Sequence, residues 1–196
     1  MQGSLEEFLA QVARRGSWFG GGSVAALSAA MAAALLEKLV LEPALARRLS
    51  AIRRECVALI QRDAVTFAMV IEAIRTGQRG AFTAALKRAI EVPCLVAQHA
   101  AVVQAACRAA KRRIKPRFQS DLRCAGAIAR AAEGSARTLI ATNLAWLKDP
   151  AYARRIRQRL AGRAGGGPRQ RRGSARAGHG GHSQHGHGRH SQHSTA

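Results

Sequence analysis

The chain has 196 residues, of which 47% are hydrophobic and 4% aromatic, and it carries a formal net charge of +21. That length suits one domain with a sizeable core plus a tail, and the charge points to an anionic partner: nucleic acid, a membrane surface or a polyanionic small molecule. Cys56, Cys94, Cys107 and Cys124 show no CxxC spacing, and no solenoid repeat, signal peptide or membrane-spanning run is visible. This excludes thiol-metal ribbons and repeat arrays, and fits reduced, buried thiols in a cytoplasmic protein.

Residues 4–15 read as a short helix, with Ser4 as cap and Glu6 and Glu7 at the positive end of its dipole. Residues 16–22 form a glycine loop. Residues 23–41 read as a helix that is small and apolar on every side, hence buried, and too short to cross a bilayer. Pro43 opens a long helix to about Arg75, whose apolar stripe is Leu45, Leu49, Ile52, Cys56, Leu59, Phe67, Val70 and Ile74. Gly77 and Gly80 end it. The next helix spans 81–113 and should kink at Pro93. After a connector at 114–119, Ser120 is expected to cap a helix to about Leu147. Asp149 with Pro150 marks a last short helix ending near Leu160. The prediction is an all-α, multi-helix bundle over 1–160. The segment 161–196 is an Arg/Gly/His-rich tail, expected to be disordered because it holds too little apolar surface to offset its ordering entropy.

Five features could carry chemistry. Gly20, Gly21, Gly22 and Ser23 form a loop ending at a helix N-terminus, where free N–H groups favour anions; equally, such a loop lets two helices pack. Asp63 falls on the apolar stripe between Leu59 and Phe67. A carboxylate there is costly unless paired or protonated, and its pKa should rise into the range of a general acid or base; an edge position paired with an arginine is the structural alternative. Ser120 and Asp121 suit a helix start and need do nothing else, and Asn143, a polar group at a semi-buried position, is a candidate substrate-binding residue or else an interhelical hydrogen-bonding one. Lys111, Arg112 and Arg113 belong to a basic cluster reaching Arg117, either a dock for carboxylates or phosphates or a complement to the helix dipole. His179, His182, His185, His187, His190 and His193 in the tail lack the carboxylates or thiols of a defined metal site, so no metal is expected. His99, alone on an apolar helix, reads as a core histidine.

As a set, residues 4–9, 20–27, 62–67, 91–93, 120–122 and 142–149 resemble the cyclodeaminase/cyclohydrolase family, in order and across nearly all of 4–160. That family includes methenyltetrahydrofolate cyclohydrolases and the cyclodeaminase part of formimidoyltransferase-cyclodeaminase. The resemblance implies a helical homodimer binding folate in a cleft near the subunit interface, with Asp63 catalytic and no metal or redox cofactor. It implies that Gly20, Gly21, Gly22, Ser23, Ser120 and Asp121 line the folate site. Lys111, Arg112 and Arg113 would then suit a polyglutamate tail. Several departures touch substrate-binding positions more than the fold. Phe19 replaces the family's usual proline, Leu139 replaces an asparagine, and Ile114-Lys115 replaces the Gly-Asn before Ser120-Asp121. The Leu-Pro-Lys expected after the Asp63 helix is absent, and the segment between Ser23 and Asp63 is shorter by about four helical turns and lacks the usual Gly-Lys-Lys-Lys-Tyr.

The expected activity is hydrolysis of 5,10-methenyltetrahydrofolate to 10-formyltetrahydrofolate, or the sister deamination of 5-formiminotetrahydrofolate. A degenerate folate-binding or scaffold protein is the alternative that the departures motivate. Nucleic-acid binding through the basic surface is a further one; Trp18, Trp146 and Tyr152 lie far apart in the sequence, so any such binding should be electrostatic and salt-sensitive.

Overall fold

The computed structural model describes residues 4–164, and among these the regular structure is entirely helical. Six α-helices follow one another: α1 (Leu5–Ala13), α2 (Gly21–Leu39), α3 (Pro43–Arg75), α4 (Arg79–Ala110), α5 (Gln119–Leu147) and α6 (Pro150–Ala164). A 3-10 turn (Pro116–Phe118) leads into α5. The expected bundle is present.

Helix α2 is its axis and packs against α3, α4 and α5. Its composition explains this. Ala25, Ala26, Ala29, Ala30, Ala32 and Ala33 are buried on one broad face, so neighbouring backbones approach closely there. Val24 and Met31 on the other side are exposed, so the helix is not buried on every side, contrary to expectation. Leu49, Ile52, Cys56, Leu59 and Ile60 of α3, with Ile90, Val96 and Val103 of α4 and Ile140 of α5, supply the bulk that alanine lacks. By length and composition α2 and α4 could each cross a membrane, contrary to the expectation for α2, but over half of each apolar window is buried in the bundle. That is the pattern of core helices.

The ends of the helices follow local chemistry. Ser4 caps α1 in a reciprocal capping box: the Glu7 N–H donates to Ser4 Oγ at 3.1 Å, and the Ser4 N–H donates to Glu7 Oε2 at 2.8 Å. Asp149 caps α6 by accepting from the Tyr152 N–H at 2.9 Å, with Pro150 at the first helical position. The same helix is tied to α4 where Tyr152 Oη and Arg159 Nη1 both donate to Glu91, at 2.9 and 2.8 Å.

Five expectations change. Ser120 is not a cap: α5 already begins at Gln119, because the 3-10 turn delivers the chain in helical geometry. Helix α2 begins at Gly21, so two of the loop glycines are its first turn. Helix α6 continues past Leu160 to Ala164, and the tail beyond it, with its histidines, lies outside the described residues. On α3, Phe67 and Ile74 are about half exposed, and the core stripe runs instead through Ala64, Thr66, Val70 and Ala73. Three of the cysteines are buried, as expected, but Cys124 is exposed. His99 is largely buried, with Nε2 3.0 Å from Glu55 Oε2.

Candidate active site

Asp63 and the N-terminus of α2 meet because one residue between them has no side chain. A Cβ built on Gly22 would collide with the Asp63 carboxyl, whereas one on Gly21 would make ordinary contact with Leu139 and one on Gly20 would meet nothing within 4 Å. The glycines are therefore not equivalent: Gly22 is the one that close approach requires. Gly20 caps α2 without a side-chain bond, so the first N–H groups of the helix keep no intrahelical acceptor and face the loop end.

Ser23 is fully buried, and its Oγ lies 2.9 Å from Asp63 Oδ2 and 3.2 Å from the Ile60 carbonyl oxygen. This pairing serves both protonation states. When Asp63 is ionised, the Ser23 hydroxyl donates to it. When Asp63 is protonated, the acid can donate to Ser23 Oγ while the serine proton turns to the Ile60 carbonyl. Burial pushes the Asp63 pKa above the usual carboxylate range; the hydroxyl and backbone N–H of Ser23 pull it down, but by less.

A cavity of about 260 Å³ opens over this carboxyl. Among the residues that line it, Asp63 is the one ionisable group. Trp18, Phe67 and Trp146 stand around it, with Trp18 and Phe67 edge to face at 6.3 Å between ring centres. All three rings are about half exposed. Both tryptophans of the chain thus border one cavity, and sequence reading had them unrelated. Leu139, Thr142 and Asn143 of α5 form another wall, and Ala89 and Pro93 of α4 close it.

Asn143 has a defined partner. Pro93 has no N–H, so the carbonyl of Ala89, four residues earlier, loses its intrahelical donor. Asn143 Nδ2 donates to that carbonyl at 3.3 Å. The interhelical bond considered for Asn143 exists, and it also holds the amide at the cavity edge.

The structure brings Asp63, Gly20, Gly21, Gly22, Ser23 and Asn143 to one end of the bundle. It does not bring Ser120, Asp121, Lys111, Arg112 or Arg113 there within one chain. Asp121 lies 22 residues before Asn143 on α5, about 33 Å along the helix axis, and pairs with Lys38 at the far end of α2 at 3.1 Å. The basic residues sit beyond the C-terminal end of α4, about 26 Å of helix from Pro93. Helix length separates the two groups, which a linear motif does not reveal.

The model of the formiminotransferase-cyclodeaminase family matches residues 4–162. Among solved structures, the fold is similar to that of formiminotetrahydrofolate cyclodeaminase from Thermotoga maritima, with a TM-score of 0.77 and 22% sequence identity over 83% of this chain and 88% of that one. No curated protein matches the chain. The family match spans nearly the whole helical bundle, and the chain belongs to the formiminotransferase-cyclodeaminase family.

Proposed function

We propose that this cavity takes the reduced pterin head of a tetrahydrofolate bearing a one-carbon unit at N5, and that Asp63 moves the protons as that unit closes or opens a ring onto N10. The carrying observation is the buried Asp63 carboxyl, raised in pKa, coupled to Ser23 and set as the one ionisable group of an aromatic-walled cavity. Family membership supports the folate substrate class.

Two reactions use the same groups. In hydrolysis of 5,10-methenyltetrahydrofolate, ionised Asp63 takes a proton from the water that attacks the bridging carbon. It then returns that proton to N5 as the carbon–N5 bond breaks, while the new hydroxyl gives its own proton to solvent as it becomes the formyl C=O, leaving 10-formyltetrahydrofolate and one released proton. In deamination of 5-formiminotetrahydrofolate, N10 attacks the formimino carbon and its N–H proton passes to the formimino nitrogen. That nitrogen takes a second proton from protonated Asp63 and leaves as ammonia, giving 5,10-methenyltetrahydrofolate. Burial raises the Asp63 pKa, so the protonated form is easier to reach than in an ordinary aspartate. The tryptophan and phenylalanine faces suit a flat heteroaromatic ring.

The cavity is smaller than the roughly 300–1,000 Å³ typical of sites that enclose a drug-sized ligand. It fits the head of a folate and leaves the glutamate portion outside. Lys111, Arg112 and Arg113, and likewise Ser120 and Asp121, can touch the same substrate only across an interface between two copies. The reading therefore includes a cytoplasmic homodimer.

Purified protein mixed with 5,10-methenyltetrahydrofolate should speed the loss of its near-UV absorbance if it hydrolyses. Mixed with 5-formiminotetrahydrofolate, it should make that absorbance appear if it deaminates. Neither change above the spontaneous rate, or equal rates for wild type and Asp63→Asn, would overturn the enzyme reading.

A further inference from the structure

At the opposite end of the bundle, a cavity of about 590 Å³ lies between the α2–α3 junction and the connector that joins α4 to α5. Its volume is within the range of sites that enclose small organic ligands, about 300–1,000 Å³. Leu41, Leu45, Ile114 and Phe118 give it an apolar interior, and Leu41 is 90% exposed, an uncommon state for a leucine in a helical bundle.

The rim is cationic. Lys38, Arg113, Lys115 and Arg117 border the cavity against one carboxylate, Glu42. Lys38 is occupied by Asp121 at 3.1 Å, and Arg113 reaches Glu42 at 3.9 Å. Arg117 lies over the Phe118 ring at 4.8 Å, and Lys115 has no ion-pair partner among the described residues. The connector is braced in this shape. Gln119 Nε2 lies 2.9 Å from the carbonyl oxygens of both Lys111 and Ile114 and donates to them. A preformed wall lowers the ordering cost of binding.

An apolar chamber with unneutralised positive charge at its mouth complements a molecule with an apolar body and an anionic end. Two rim cations, Lys115 and Arg117, lack a carboxylate partner among the described residues, and together they can hold the two oxygens of one carboxylate. We propose that this cavity binds an aliphatic monocarboxylate, its chain among Leu41, Leu45, Ile114 and Phe118 and its carboxylate held by Lys115 and Arg117. Within one chain this site lies at the other end of the bundle from the Asp63 cavity and does not rest on the folate reading. It shares Arg113 with the contacts proposed across the dimer interface, and competition with a folate tells the two apart.

The experiment is isothermal titration of the full chain with decanoate, below its micelle concentration and at low salt. One decanoate should bind per chain. Affinity should rise about three- to fourfold per methylene from hexanoate to decanoate, as expected for buried CH₂ groups. Decanol and acetate should each bind at least tenfold more weakly. The variant Lys115→Gln/Arg117→Gln changes exposed side chains, so its melting temperature should match wild type, and its affinity for decanoate should fall at least tenfold. The proposal is overturned by an absence of saturable decanoate binding, or by decyl phosphate binding where decanoate does not. It is also overturned if the double variant binds unchanged. Displacement of decanoate by 5-formyltetrahydrofolate would overturn it too, by assigning the cavity to folate instead.

Discussion

The Asp63 carboxyl sits where ionisation is opposed by burial and only partly relieved by Ser23. Its folded pKa lies above the unfolded value of about 3.9, so folding favours the protonated acid. The stability this contributes is complete below about pH 4 and is lost as pH rises through the folded pKa. Asp63→Asn removes the ionisable group while leaving an oxygen for the Ser23 hydroxyl. The variant should therefore melt higher than wild type near neutral pH, with the gap narrowing as pH is lowered toward 4. Thermal melts across that range check it; a variant that melts lower at pH 7.5 would contradict the burial argument. Activity should move the other way, with a loss of about 100-fold or more, the usual contribution of a general acid or base. The glycines give a second test. Gly22→Ala forces a methyl into the Asp63 carboxyl, and overpacking of this kind costs about 1–3 kcal/mol. The gain in helix propensity, at most about 1 kcal/mol, does not cancel it. Gly20→Ala meets open space, and since alanine is the poorer cap for α2 it should cost no more than about 1 kcal/mol. Chemical denaturation of the two variants should rank them in that order.

At the scale of helices, the proline of α4 and the asparagine of α5 form one device. Pro93 leaves the Ala89 carbonyl without its donor, and Asn143 supplies one from the neighbouring helix. Removing the amide by Asn143→Ala should cost about 1–3 kcal/mol. The low end is expected, since Ala89 borders the cavity and water can substitute. In a Pro93→Ala background the backbone N–H is restored, and the same substitution should cost within about 0.5 kcal/mol. A coupling near zero in this double-mutant cycle would show that the two residues are independent. The helices themselves were legible from the sequence, because Pro43, Gly77, Pro150 and the capping residues Ser4 and Asp149 act locally. Asp63 was also legible, since one polar residue on an apolar stripe is a local anomaly. The aromatic walls were not. Trp18, Phe67 and Trp146 come from three distant segments, and only packing brings them together. Phe67 read as core for the same reason: periodicity reports a face, not whether that face meets a neighbour or a cavity. The start of α2 differs from the expectation because glycine propensity favours a loop, whereas the Ser23–Asp63 bond between α2 and α3 depends on residues 40 apart in the chain and fixes this end of the helix.

Over the whole molecule, the bundle carries its chemistry at two ends joined by α2: an aromatic-walled acid at one, a basic apolar chamber at the other. Both sit on a chain with net charge +21, and that excess sets how the fold responds to salt. Two electrostatic effects compete. Like charges spread over the surface repel and oppose compaction; at 0.01 M salt the screening length is about 30 Å, enough to couple charges across the bundle, and at 0.15 M it falls to about 8 Å. The ion pairs work in the other direction, but those among the described residues are short, 2.7–3.9 Å, and mostly at least partly exposed. Pairs of this kind contribute about 0–1 kcal/mol each, and separations well inside the screening length are weakened little by added salt. The long-range repulsion is therefore what salt removes. The melting temperature should rise as sodium chloride is raised from 10 to 150 mM (about a threefold to fourfold shortening of the screening length) and then level off. A fall over the same interval would mean that the local pairs, and not the excess of positive charge, dominate the electrostatics of this fold.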